Sequence, residues 1–114
     1  MYSINRQVIV VKPKKPYIEW INSLPDMEDP IKDDELNNDC TSCLIPHFDY
    51  EEETNNYIKK IYKQIFEIEL EGWTTDESVW PPKRNYSLFQ KWFIIEMHSE
   101  VIDFLETKIE KEAF

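Results

Sequence analysis

The sequence predicts a small α+β domain: a three-stranded antiparallel or mixed sheet with helices on one face, in the order β-α-β-α-α-β. Three observations carry this expectation. Residues 7–12 (QVIVVK) are β-branched and apolar almost throughout. Ile58, Ile61, Tyr62, Ile65, Phe66 and Ile68 keep a helical stripe through the middle of the chain. Near the end, Phe93, Ile95, Met97, Val101 and Leu105 alternate with Glu96, His98 and Glu100, as on a strand. That last segment also fits a helical period, with Glu96, Ser99, Glu100, Asp103, Glu106 and Thr107 on one polar face. The architecture selects the strand, because two strands make a poor sheet and three covered by helices make a stable small domain.

Each element has its own local reason. QVIVVK reads as a strand buried on both faces, ended by Pro13. Pro16 suits the first turn of a helix, whose N–H groups lack intrahelical partners anyway. Tyr17, Trp20, Ile21 and Leu24 then form one helical face, and Pro25 stops it. Residues 26–39 (DMEDPIKDDELNND) are an acidic connection with one helical turn around Leu36. Thr41 to Phe48 reads as a second strand, which Pro46 places at an edge. Asp49 as N-cap with Glu52 three residues on is an acidic capping box for the long helix. Gly72, the only glycine, is expected just past its last turn, free to adopt positive φ. Thr75 or Asp76 is placed to cap a short turn through Val79. Ser87 and Gln90 repeat the capping-box spacing before Leu88, Phe89, Trp92 and Phe93. Residues 106–114 (ETKIEKEAF) read as a helical extension or a frayed tail.

The chain has 114 residues, 41% of them hydrophobic and 14% aromatic, enough for one domain over 1–114 with a genuine core. No apolar run reaches the roughly 18–20 residues that span a bilayer. The opening residues look like a strand rather than a signal peptide, and two cysteines without an export signal point to the cytosol. Net charge is −10, and residues 21–56 alone contribute −10. Such a surface repels phosphate backbones, so the expected partner is another protein, a basic one included, rather than nucleic acid or membrane.

Two residue sets invite chemistry. Cys40, Cys43, His47 and His98 are all the cysteines and histidines present, a complete tetrahedral set for zinc. The CxxC spacing suits a metal, whereas His47 and His98 depend on the fold to meet. Pro46 argues against a thioredoxin-like pair, which needs its first cysteine at a helix start. His98 between Glu96 and Glu100 has the composition of a general base or a metal site only if the segment is a strand. No glycine-rich phosphate loop, GxSxG, HExxH or EF-hand pattern occurs, which points away from an enzyme.

The second set is the stretch GWTTDESVWPPKR, residues 72–84. Trp73, Asp76, Glu77, Trp80 and Arg84 together have the composition of a protein-binding surface. Tryptophan in a loop between two helices also folds back as a lid on its own core, and the lid is the stronger expectation.

Four blocks, VIVVKPKKPYIEWINSLPD, CLIPHFD, EIELEGWTTDESVWPPKR and WFIIEMHSEVIDF, resemble in this order a group of small bacterial proteins of unknown function. The resemblance runs from about residue 5 to about residue 105 and implies a bacterial or similar source and one α+β domain. It implies no activity and carries over no functional residue. The functional expectation is therefore a non-enzymatic acidic protein acting through protein–protein binding. One version is an inhibitor or immunity-type protein that blocks a basic nucleic-acid-binding site. The alternative is a zinc-stabilised domain or metal-assisted enzyme on the Cys–His set.

Overall fold

A computed structural model describes all 114 residues. In chain order the elements are β1 (Tyr2–Ser3), β2 (Arg6–Pro13), α1 (Lys15–Asn22), β3 (Thr41–Pro46), α2 (Glu51–Glu71), α3 (Tyr86–Trp92), β4 (Phe93–His98) and β5 (Ile102–Asp103). Single 3-10 turns cover Leu36–Asn38 and Glu77–Val79. The main sheet is antiparallel with order β3-β2-β4. This is the predicted α+β class, and of the last apolar segment Phe93–His98 is a strand of that sheet, while the alternation expected through Val101 and Leu105 stops at His98. A two-stranded β1/β5 ribbon extends it, a feature the sequence pattern did not signal.

The most β-branched segment takes the central place. β2 pairs Ile9 with Cys43 on one side and Met97 on the other, and Val11 with Thr41 and Ile95. Burial on β2 alternates, which corrects the two-faced expectation. Gln7, Ile9 and Val11 are buried while Val8, Val10 and Lys12 stay half-exposed. Helices cover only one face of this sheet, so only every second side chain leaves water.

The helical layer meets that face through aromatic rings. Phe66 of α2, fully buried, touches Phe89, Trp92 and Phe93 at ring-centroid distances of 5.8, 5.4 and 5.6 Å. Tyr17 of α1 reaches Phe93 at 4.7 Å and stacks on Trp20 at 5.9 Å. Such pairs add to the area they bury. α3 passes into β4 without a loop, Phe93 being both the cap of the helix and the first strand residue. Lys14 N donates to Trp92 O at 2.8 Å, which locks the start of α1 to that junction.

The helix ends depart from the predicted caps. The N-cap of α2 is Tyr50, and no side chain caps it; Glu51, Glu52 and Glu53 instead place three carboxylates in the first turn, where the helix dipole favours them. Asp49 falls one residue too early for the box it was expected to make. Asn85, not Ser87, caps α3, its Oδ1 accepting from Leu88 N at 2.8 Å. Gly72 has φ −60° and ψ −21°, so positive φ is not what selects glycine there. A Cβ at Gly72 would meet only Glu69 O and Ile68 O at 3.6 and 3.7 Å, ordinary contact distances.

One polar group is held inside the domain. Gln7, on the helix side of β2, donates through Nε2 to Thr54 Oγ1 at 3.0 Å and accepts from Phe48 N at 3.1 Å. It thereby fixes the approach to α2 against the sheet. Replacing Gln7 with Met leaves the Phe48 N–H and the Thr54 hydroxyl without these partners, which costs about 1–3 kcal/mol. Urea unfolding of Gln7→Met should show that loss with an unchanged m-value; full retention of stability would mean that neither bond contributes.

Candidate functional site

The loop after α2 is built by its own hydrogen bonds. Asp76 caps the turn at Glu77–Val79, its Oδ1 accepting from Ser78 N at 3.1 Å and Ser78 Oγ at 2.6 Å. These bonds hold the Asp76 carboxyl below its usual range, the side-chain bond most of all. Trp80 is 5% exposed and belongs to the core, with Nε1 donating to Thr74 O at 3.0 Å. Arg84 lies 5.4 Å from the Trp80 ring centre and donates to Pro81 O at 2.8 Å. Trp20 closes the other side of the loop, its Nε1 donating to Val79 O at 2.9 Å. Trp80 is therefore the lid that the sequence favoured, and it offers no exposed surface.

Trp73 behaves differently. It is 37% exposed and lines a hollow of about 140 Å³ with Leu24, Pro25, Asp26, Met27 and Thr74. Asp26 and Met27 begin the acidic connection, so the two expected parts of a binding surface meet here. That connection is tethered rather than loose. Asn22 bonds both ways with the backbone of Ile31, at 3.1 and 2.8 Å, and Met27, Ile31 and Leu36 pack on the core. Its carboxylates stay at the surface. Lys12–Glu96, at 2.9 Å, is the sole contact between a lysine or arginine and a carboxylate in the chain. Asp26, Glu28, Asp29, Asp33, Asp34, Glu35 and Asp39 thus form no ion pair, although Lys32 lies in the same segment. Glu77 is also exposed on the adjoining loop.

Four residues before Trp73 in the chain sits an uncommon carboxyl. Glu69 is partly buried near the end of α2, and its Oε1 has no hydrogen-bond partner. Burial pushes its pKa up, with the Thr41 and Tyr17 hydroxyls acting the other way. Burial, followed by the Glu69 charge, also raises the Tyr17 hydroxyl well above its ordinary value, and it remains a donor to Glu69 O at 2.8 Å.

The predicted zinc ligands are not brought together. Cys43 pairs with Ile9 on the helix-covered side of the sheet. His98 pairs with Val8 on the open side and on the opposite edge strand. Cys40 precedes β3, its Sγ 3.4 Å from Leu36 O, and exposed His47 follows the strand. No group of three His, Cys, Asp or Glu side chains has metal-holding geometry. Burial raises both thiols, so neither is an activated nucleophile.

His98 does meet one carboxylate, as the strand reading required. Its Nε2 lies 2.7 Å from Glu96 Oε1, while Glu96 Oε2 holds Lys12 at 2.9 Å. The Lys12 hydrogen bond, then that of His98, hold Glu96 below its usual pKa. Glu100 lies beyond β4 and outside this set. All three groups sit on the open sheet face, away from any enclosed cavity. Sequence alone missed Lys12, because cross-strand register brings it to Glu96.

No protein-family model, curated protein or solved structure matches this chain. No helix is long and apolar enough to cross a membrane. Fold and site together define a small α+β domain with a tethered acidic segment beside a half-exposed tryptophan.

Glu69 yields a pH test. The unfolded chain ionises this carboxyl in the ordinary range, whereas the folded protein keeps it protonated to higher pH. Its contribution to stability is present below the unfolded value and is lost as pH rises through the folded one. Glu69→Gln should therefore melt higher than the parent at about pH 8, with the two converging near about pH 4. A variant no more stable than the parent at the higher pH would show that the carboxylate has a partner after all.

Proposed function

We propose that this protein is a non-enzymatic binding protein whose Trp73 hollow and acidic connection take a basic segment of another protein. The observation that carries the reading is the pairing of seven carboxylates that form no ion pair with a half-apolar hollow, lined by Leu24, Met27 and Trp73 beside Asp26, at one end of the same segment. The hollow suits the alkyl stem of a lysine or arginine, and the Trp73 ring and Asp26 suit its charged end. Because Asn22 and the Met27, Ile31 and Leu36 side chains already hold the segment, little ordering entropy is lost on binding.

A surface that presents carboxylates at close spacing competes for sites built to hold phosphates. The inhibitor or immunity-type role follows from this reading, with the partner's nucleic-acid-binding site as the target. The two free thiols, Cys40 and Cys43, fit a reducing compartment such as a bacterial cytosol.

An arginine-rich peptide serves as the probe, followed by tryptophan fluorescence and calorimetry. Affinity should fall steeply between about 50 and about 200 mM salt, since the Debye length shortens over that range. Trp73→Ala should cost about 2 kcal/mol of binding while leaving the fold intact. Asp33→Lys with Asp34→Lys should weaken both the affinity and its salt dependence. Binding that ignores both salt and Trp73 would refute the proposal.

A further inference from the structure

The far end of the molecule carries a different signal, independent of the acidic face. Seven of the twelve exposed large hydrophobic side chains lie in residues 1–2 and 102–114, on the β1/β5 ribbon and the segment after it. Phe104, Leu105, Ile109 and Phe114 are 74%, 67%, 57% and 104% exposed, and no backbone-to-backbone hydrogen bond involves residues 104–114. Their sequence, FLETKIEKEAF, is nonetheless patterned for a strand over its first half. Leu105, Thr107 and Ile109 fall on one face of an extended chain, and Glu106, Lys108 and Glu110 on the other. In the single copy the segment is exposed, with Leu105 N donating to Asp103 Oδ1 at 2.8 Å and a bend at residues 106–107, so it must straighten to join a sheet.

A sheet edge without a strand lies in the same fold. β4 is an end strand, so its outer backbone groups have no neighbour. The helix-facing side of that edge is open as well. Two adjoining hollows, of about 410 and about 220 Å³, share Ile95 and Met97 as their wall and run between β4 and the first half of α2. Six strand residues at about 3.3 Å each give an edge of about 20 Å, which six or seven residues of an extended chain match. The apolar floor of this groove includes Ile58, Phe89 and Phe93, and Asp49 and Glu51 stand at its other end.

We infer that residues 104–110 of one copy add as a strand to the β4 edge of a second copy, seating Leu105 and Ile109 in the groove. The arm does not serve its own edge. In the single copy no residue after Phe104 lines either hollow, and Phe104, Leu105 and Ile109 stay exposed. Two arms exchanged reciprocally form a closed two-fold pair. Main-chain hydrogen bonds supply affinity and the alternate side chains supply register, as in other strand additions.

Sedimentation velocity on the full chain, from low to high micromolar, tests this together with the double variant Leu105→Glu/Ile109→Glu. Both side chains are exposed in the single copy, so the variant folds, which far-UV circular dichroism and melting at low concentration verify. The parent should dimerise, and the variant's dimer dissociation constant should rise about 100-fold or more. Hydrogen exchange should show β4 amides protected in the concentrated parent and unprotected in the variant. A parent that stays monomeric throughout overturns the inference. So does a variant that dimerises as well as the parent, which would place the contact on another face. Dimerisation without added protection of β4 would refute strand addition in particular.

Discussion

The structure depends on one aromatic junction. Phe66, Phe89, Trp92, Phe93 and Tyr17 bring α1, α2, α3 and β4 to a common point, with centroid separations between 4.7 and 6.0 Å. The direct passage from α3 into β4 at Phe93 makes that point rigid, since no loop residue lies between helix and strand to absorb a shift. Because the rings gather on one side of the sheet, all three helices do too. The opposite face of β2 is left to Val8, Val10 and the Lys12–Glu96–His98 set.

This one-sided arrangement explains where the tryptophans go. Trp92 is in the junction, Trp20 stacks on Tyr17 at its border, and Trp80 folds down from the loop to close it. Each is consumed by the fold, and the indole N–H groups of Trp20 and Trp80 find backbone carbonyls as buried ones must. Trp73 alone keeps a substantial exposed surface, and it does so where the acidic connection begins. The charge on that connection has no internal use. A sheet face, a loop and a helix end can all be stabilised by paired charges, yet the chain pairs almost none of its carboxylates with lysine or arginine.

The departures from sequence expectation have common physical causes. Capping patterns at Asp49 and Ser87 were each displaced, by one residue to Tyr50 and by two to Asn85. Spacing rules identify that a helix starts nearby, but the starting residue is set by which backbone groups the neighbouring strand has already claimed. QVIVVK looked buried on both faces because composition counts apolar side chains and cannot count covering layers. Gly72 looked like a left-handed stop, and its observed φ removes that requirement.

What the sequence determined by itself was the local grammar: strands where β-branched residues run together, helices where apolar residues return every three or four positions, and a connection too acidic to be buried. These depend on neighbours within one turn or one pleat, which the chain order supplies directly. What only the tertiary structure decided was register and side. Lys12 meets Glu96, and Cys43 and His98 part company, because β2 lies between β3 and β4 and each residue takes the face its register assigns. Trp73 and Trp80 sit seven residues apart in one loop, yet one is exposed and the other enclosed. That difference comes from which core surface lay within reach, and no spacing rule encodes it.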